Sequence, residues 1–392
     1  MLALDSIIVL DLNRGYPGAF GAMFLGDFGA QVIRVDPPGP PIPLPDMDTG
    51  SERFNAYYAP NRNKTSIIIN LKSAEGREIL YKLARRADVL IEGFRPGVPK
   101  RLQIDYETLK SLNPRLIYCS ASGYGQDGPY AATPGHDMNY CAISGALSLI
   151  GPRDGPPYLA SNFLADMAGA GLHTVIGVLI ALLAREKTGK GQFVDISYTD
   201  AVLSLMTPDI SYYFMNGKVP RRGETFTTGG APWGNVYRCK DDEYITLGCT
   251  ETHLWANLCR AIEKEDLIPR QNPATPAERD AVIAELADVF LRKTRDEWFE
   301  FFKDKDTCVA PVYYLNETFS DPQILHRKMM IELVDPKLGK VKQIGMPIKL
   351  SETPGQIRTL GVPQGANTDS ILTDLGYTSK EISLLRNNGA IA

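Results

Sequence analysis

The sequence predicts an α/β fold: a doubly wound layer on a parallel sheet, joined to a smaller α+β domain. Three observations predict it. Short β-branched runs alternate with helical segments through the early chain, two long helical stretches follow, and a later stretch pairs strands with capping boxes. Residues 6–12 read as the first strand. Residues 17–28 have helical spacing (Ala19, Met23, Leu25, Phe28), and Gly29 stops them. Residues 31–35, 66–71, 89–92 and 116–120 read as further strands, with a Pro-rich loop over 37–45 and a helix over 75–86 whose N-cap is Ser73. Long helices are expected over about 166–187, stopped by Gly189 and Gly191, and over about 200–215. A Gly/Thr-rich linker over 220–230 leads to strands 233–238 and 244–248 around an Asp241-Asp242 turn. Thr275-Pro276-Ala277-Glu278 and Thr294-Arg295-Asp296-Glu297 are capping boxes. Residues 309–314 and 341–347 are strand-like, and a last short helix is expected near 379–386. The expected division is 1–200 with 320–392 as a large domain, 201–229 and 306–319 as linkers, and 230–305 as a small domain.

The 392 residues suffice for two or three domains, and 44% apolar with 22% charged residues describes an ordinary globular chain. A net charge of −4 gives no support for nucleic acid or an anionic membrane as the main partner. The six cysteines have no CxxC spacing, so no zinc or redox motif is encoded and no metal is expected. They read as buried, reduced thiols of an intracellular protein. Residues 2–12 lack the form of a signal peptide, the apolar stretch 172–184 is too short to span a bilayer, and the ending Gly389-Ala390-Ile391-Ala392 is no peroxisomal address. The expected location is cytoplasmic.

Gly15, Gly18 and Gly21 follow the first strand and Asp36 ends the second. The spacing is GxxGxxG rather than GxGxxG, so the glycines read as close packing and not as a dinucleotide site. More informative are Gly135-His136-Asp137-Met138-Asn139-Tyr140 and Asn162-Phe163-Leu164-Ala165-Asp166-Met167-Ala168-Gly169. They supply a histidine and a carboxylate, the second at the opening of a long helix. Enolate chemistry needs an acid/base pair and backbone N–H groups to hold the charge. The small residues 168–171 would let a ligand approach that first turn. Asp166 could equally be a cap for the helix dipole, His136 a packing residue, Asp137 a turn stabiliser and Glu251 an exposed helix-start glutamate. Arg34, Arg62, Lys64, Arg95 and Arg101 could bind phosphates or be solvated charges.

These residues, together with Leu25-Gly26-Asp27-Phe28-Gly29-Ala30-Gln31-Val32-Ile33-Arg34-Val35-Asp36, Glu92-Gly93-Phe94-Arg95-Pro96-Gly97-Val98, Ser122-Gly123-Tyr124-Gly125-Gln126-Asp127-Gly128-Pro129 and Gly229-Gly230-Ala231-Pro232, carry a resemblance over most of the chain. The sequence resembles the class III CoA-transferase (CaiB/BaiF) superfamily. Within it, the sequence resembles the branch that racemises 2-methyl-branched acyl-CoA thioesters. The resemblance implies a Rossmann-like large domain, a small domain and an interlocked homodimer acting on acyl-CoA, with no further cofactor. It implies His136 and Asp166 as the proton-transferring pair and Glu251 as the group orienting the histidine. Asn162, Met167 and Asp137 are implied to position the substrate or its oxyanion, and Arg34, Arg95, Arg101, Lys64 and Tyr140 to bind CoA. N–H groups at the start of the Asp166 helix would take the enolate oxygen. Two other readings stay open: transfer of CoA between carboxylic acids with Asp166 as nucleophile, and non-catalytic acyl-CoA binding. The loop 13–17 departs from the family's Gly/Pro pattern.

Overall fold

The computed structural model describes residues 1–392 except Arg14, so one residue of the divergent 13–17 loop lies outside the described residues. The chain divides into two compact units. One comprises Met1–Ser144, Ser161–Leu205 and Pro322–Ala392; the other comprises Gly145–Ala160 and Met206–Asp321.

The first unit is built on a six-stranded sheet. Its strands are β1 (Ile8–Asp11), β2 (Gln31–Asp36), β3 (Lys64–Ile68), β4 (Val89–Glu92), β5 (Ile117–Ser122) and β6 (Phe193–Ser197). Every pair is parallel, and the order is β3-β2-β1-β4-β5-β6. This is the doubly wound Rossmann order, with its reversal between β1 and β4. Alternate residues of each strand supply opposite faces. Leu10, Ile33, Val35, Ile67 and Leu90 meet Ile79, Leu80 and Leu83 of the Ala74–Arg86 helix on one side. Val9, Val32, Val89, Ile91 and Ile117 meet Ala22 and Leu25 of the Tyr16–Asp27 helix and Val178, Ala181 and Leu182 of the His173–Thr188 helix on the other. The C-terminal stretch closes the first face with Ile371, Leu372, Ile382 and Ile391. Its Met330–Asp335 and Gly339–Ile344 strands form an antiparallel hairpin.

The second unit holds the antiparallel sheet β7 (Gly234–Arg238), β8 (Tyr244–Gly248) and β9 (Val309–Pro311), in that order. Trp255, Phe290, Trp298 and Phe302 fill its core from the Thr252–Ala261, Pro276–Phe290 and Arg295–Phe302 helices. The Thr275 and Thr294 boxes form as read: each hydroxyl accepts the N–H of the glutamate three residues on.

Several expectations need correction. Gly145–Ala160 belongs to the second unit, not to the large domain, because Arg222 donates to the Ser148, Pro152 and Gly155 carbonyls and Arg153 pairs with Asp280. The stretches 201–229 and 306–319 are not free linkers but parts of the compact units. The second long helix is two helices, Tyr198–Leu205 and Thr207–Asn216. Pro208 sits in the first turn of the latter, where its ring would clash with the carbonyl four residues back in a continuous helix. Strand β6 was not foreseen. Cys308 is exposed while the other five thiols are buried. The apolar helical run is also longer than 172–184. It spans Phe163–Thr188, 26 residues, one helix long and apolar enough to cross a membrane, although Val178, Ala181 and Leu182 pack on the sheet.

Candidate active site

His136 and Asp166 lie on one crossover, the long connection from β5 to β6, which is interrupted only by the excursion of Gly145–Ala160 into the second unit. His136 is the exposed N-cap residue of the Asp137–Ile143 helix, and its N–H donates to the Asn139 side-chain oxygen at 3.0 Å. Tyr140 anchors this turn. Its ring stands where side chains at Gly123 and Gly135 would be, 2.2 Å and 2.7 Å from their virtual Cβ atoms, so both positions require glycine. Its hydroxyl donates to the Gly135 carbonyl, and its ring meets Tyr124 and Tyr198 edge-on. Burial pushes the phenol up to about 12.

The helix carrying Asp166 opens in an unusual winding. Phe163–Leu172 is a π-helix, with Met167 N–H donating to the Asn162 carbonyl at 3.1 Å, and α-helical winding resumes over His173–Thr188. Long π stretches are rare and concentrate at functional sites. Close packing accompanies it. A methyl on Gly171 would stand 2.7 Å from the Phe20 ring, and one on Gly21 2.9 Å from the Gly171 carbonyl. Of the early glycines, Gly21 thus brings two helices together, where helix–sheet packing was expected.

Asp166 is half-buried, and its carboxyl is pushed up to about 6. Burial is the main cause and the nearby Asp137 charge adds to it. A bond from Asn162 Nδ2 at 3.4 Å and the His136 ring pull the other way. The carboxylate of Asp137 accepts from Ala165 N–H at 2.9 Å and from Asp166 N–H at 3.0 Å. Of the N–H groups at the start of this helix, those of Ala165 and Asp166 serve Asp137, and that of Met167 serves the π winding.

The candidate CoA ligands divide by burial. Arg34 is 7% exposed and bonded to Asp36 at 2.7 Å, and Lys64 is 3% exposed and bonded to Asp11 at 2.7 Å and to the Ala19 carbonyl at 2.9 Å. Both charges are spent inside the fold, as is Arg62 on Asp27. Tyr140 is buried as well. Arg95 and Arg101 are exposed and remain available. Glu251 lies on the second unit as the exposed N-cap residue of the Thr252–Ala261 helix, without a capping bond from its side chain. Sequence reasoning assigned nothing to Glu92, the last residue of β4. It is buried, accepts the Phe94 N–H at 2.6 Å, and is pushed up to about 7 by burial. A carboxylate ending an otherwise apolar strand was the available signal.

Set beside known proteins, the chain matches CoA-transferase family III over residues 4–368. It belongs to that family of enzymes. It is 35% identical to the human α-methylacyl-CoA racemase, over 100% of this chain and 98% of that protein. It is 32% identical to the succinyl-CoA–D-citramalate CoA-transferase of Chloroflexus aurantiacus, over 98% of this chain and 96% of that one. A CaiB/BaiF family protein from Brucella suis has the same fold, with a TM-score of 0.81 and 29% identity over 95% of this chain and 99% of that one.

Proposed function

We propose that the protein inverts the α-carbon of 2-methyl-branched acyl-CoA thioesters by proton transfer through an enolate. The observation that carries this reading is Asp166: a carboxyl with its proton affinity raised to about 6, on the same crossover as a histidine. A group that must both accept and return a proton works best when its pKa lies near the working pH. His136 removes the α-proton from one face and protonated Asp166 delivers one to the other, the roles exchanging for the opposite enantiomer. The resemblance adds Glu251 as the group that sets the imidazole tautomer. Arg95 and Arg101 are the exposed cations left to meet CoA phosphates. The chemistry calls for no cofactor beyond the thioester itself.

The test is to incubate a 2-methylacyl-CoA with the protein in deuterated water together with a free carboxylic acid, and to follow mass and stereochemistry. The expected product carries a single deuterium at the α-carbon, has lost stereochemical purity, and comes with no new CoA ester. The relatives that transfer CoA support a second reading, with Asp166 as nucleophile. A CoA ester of the added acid, without deuterium, would establish it and overturn the first.

A homodimer is part of the proposal. The Thr207–Asn216 helix buries none of its own residues and leaves Tyr212, Phe214 and Met215 exposed, while Ile176, Ile180 and Leu183 are exposed on the Phe163–Thr188 helix. Apolar exposure on this scale marks an association surface. Light scattering should give twice the chain mass, and a single-chain mass would refute it.

A further inference from the structure

Ten residues of π winding need support from outside the helix, because an α-helix of the same length is the more stable alternative. The support at its front comes from one side chain. Asp137 Oδ2 accepts from Ala165 N–H and Asp166 N–H together, across 28 and 29 residues of sequence. At its rear the His173 ring meets the Ala168 carbonyl at 3.0 Å. Asp137 is also the residue next to His136. A single peptide unit and a single carboxylate therefore connect the backbone of one proposed base to the backbone of the other.

We infer that Asp137 is a positioning residue for Asp166: its carboxylate holds the π-wound turn and so sets the spacing between Asp166 and His136. This rests on the proton-transfer reading for its kinetic consequence, but the two hydrogen bonds stand independently of it. The spacing matters because the two bases must reach opposite faces of one carbon, and a shift of about 1 Å at such a site costs ~10²-fold in rate. The same carboxylate contributes electrostatically. The groups that bear on Asp166 are Asp137 and His136 from the neighbouring turn and Asn162 from its own, while Tyr140, Tyr198 and Cys141 lie close enough to feel its charge and Arg95 acts on Tyr140. Of these, Asp137 is the fixed negative charge, and it favours the protonated form of Asp166.

The test compares wild type with Asp137→Asn, which keeps the shape and loses the charge, and with Asp137→Ala. Amide hydrogen exchange in the free protein should rise at least ~10-fold at Ala165 and Asp166 in Asp137→Ala, since these N–H groups lose their acceptor. In Asp137→Asn, kcat for α-proton exchange should fall ~10–100-fold with little change in KM. Both limbs of the pH profile of kcat/KM should move to lower pH, because removing a negative charge weakens proton binding by the coupled pair. Faster amide exchange with an unmoved pH profile and normal kcat would leave Asp137 a helix cap only and overturn the inference. So would unchanged amide exchange. If the wild type transfers CoA without exchanging the α-proton, the functional reading fails, while the amide measurement still decides whether Asp137 holds this turn. Should Asp137→Ala not fold, Asp137→Leu carries the amide measurement and Asp137→Asn the kinetic one.

Discussion

Replacing Asp166 by alanine should lower α-proton exchange into a 2-methylacyl-CoA by at least ~10³-fold, within the range that positioned acid–base groups contribute. His136→Ala should lose a similar amount. The double variant should be little worse than the poorer single one, because each base is useless without the other and losses within one catalytic unit are not additive. Stability should not follow activity. The Asp166 side chain gains only one long bond, at 3.4 Å from Asn162, and its raised pKa means that burial disfavours its charge. Asp166→Ala should therefore melt no lower than wild type near pH 7 and bind CoA as tightly. Exchange at the wild-type rate in Asp166→Ala would remove this residue from the mechanism.

The largest effect on stability is expected at Asp27, at the end of the Tyr16–Asp27 helix. Arg62 and Asp27 are both buried and share two bonds, at 3.0 Å and 2.6 Å, and Asn63 donates to the same carboxylate at 2.8 Å. Burial raises the Asp27 pKa and the guanidinium offsets that in part. Asp27→Ala would leave a guanidinium buried without its counter-charge, which typically costs ~3–5 kcal/mol. Adding Arg62→Met should recover most of the loss, because an apolar pair of similar volume often substitutes for a buried ion pair. Urea denaturation of the wild type, the single variant and the double variant reads this directly. A single-variant cost below ~1 kcal/mol would show that water reaches the pair.

What could be read from the sequence was local. The Ser73, Thr275 and Thr294 caps need only residues within one turn, and the apolar strands are bounded by their own turn residues. What could not be read depends on distant partners. The short edge strand β6 carries Asp195 in its middle and only its last residue is fully buried, so it lacks the apolar run that marked the others. The π winding over 163–172 is held by a carboxylate from another helix and by contacts between glycines far apart in sequence. Pairing decides which basic residues are buried: Arg34 and Lys64 are bonded to Asp36 and Asp11, whereas Arg95 and Arg101 are exposed. The break at Met206 is a local effect of Pro208 in the first turn of the next helix. His136 and Asp166 were visible as residue types, but the raised proton affinity of Asp166 comes from burial, which only the fold provides.

The chain passes between its two units four times, at 144/145, 160/161, 205/206 and 321/322. The last passage has a kinetic consequence. The outer edge of β3 is met by residues near the C-terminus, with Asn367 Oδ1 accepting from Ser66 N–H at 3.0 Å and Asn70 N–H bonded to the Ala390 carbonyl just beyond the strand. During synthesis that edge therefore stays uncovered until the second unit and residues 367–390 have been made. Closing loops of about 300 residues delays folding and leaves an unpaired strand open to wrong partners.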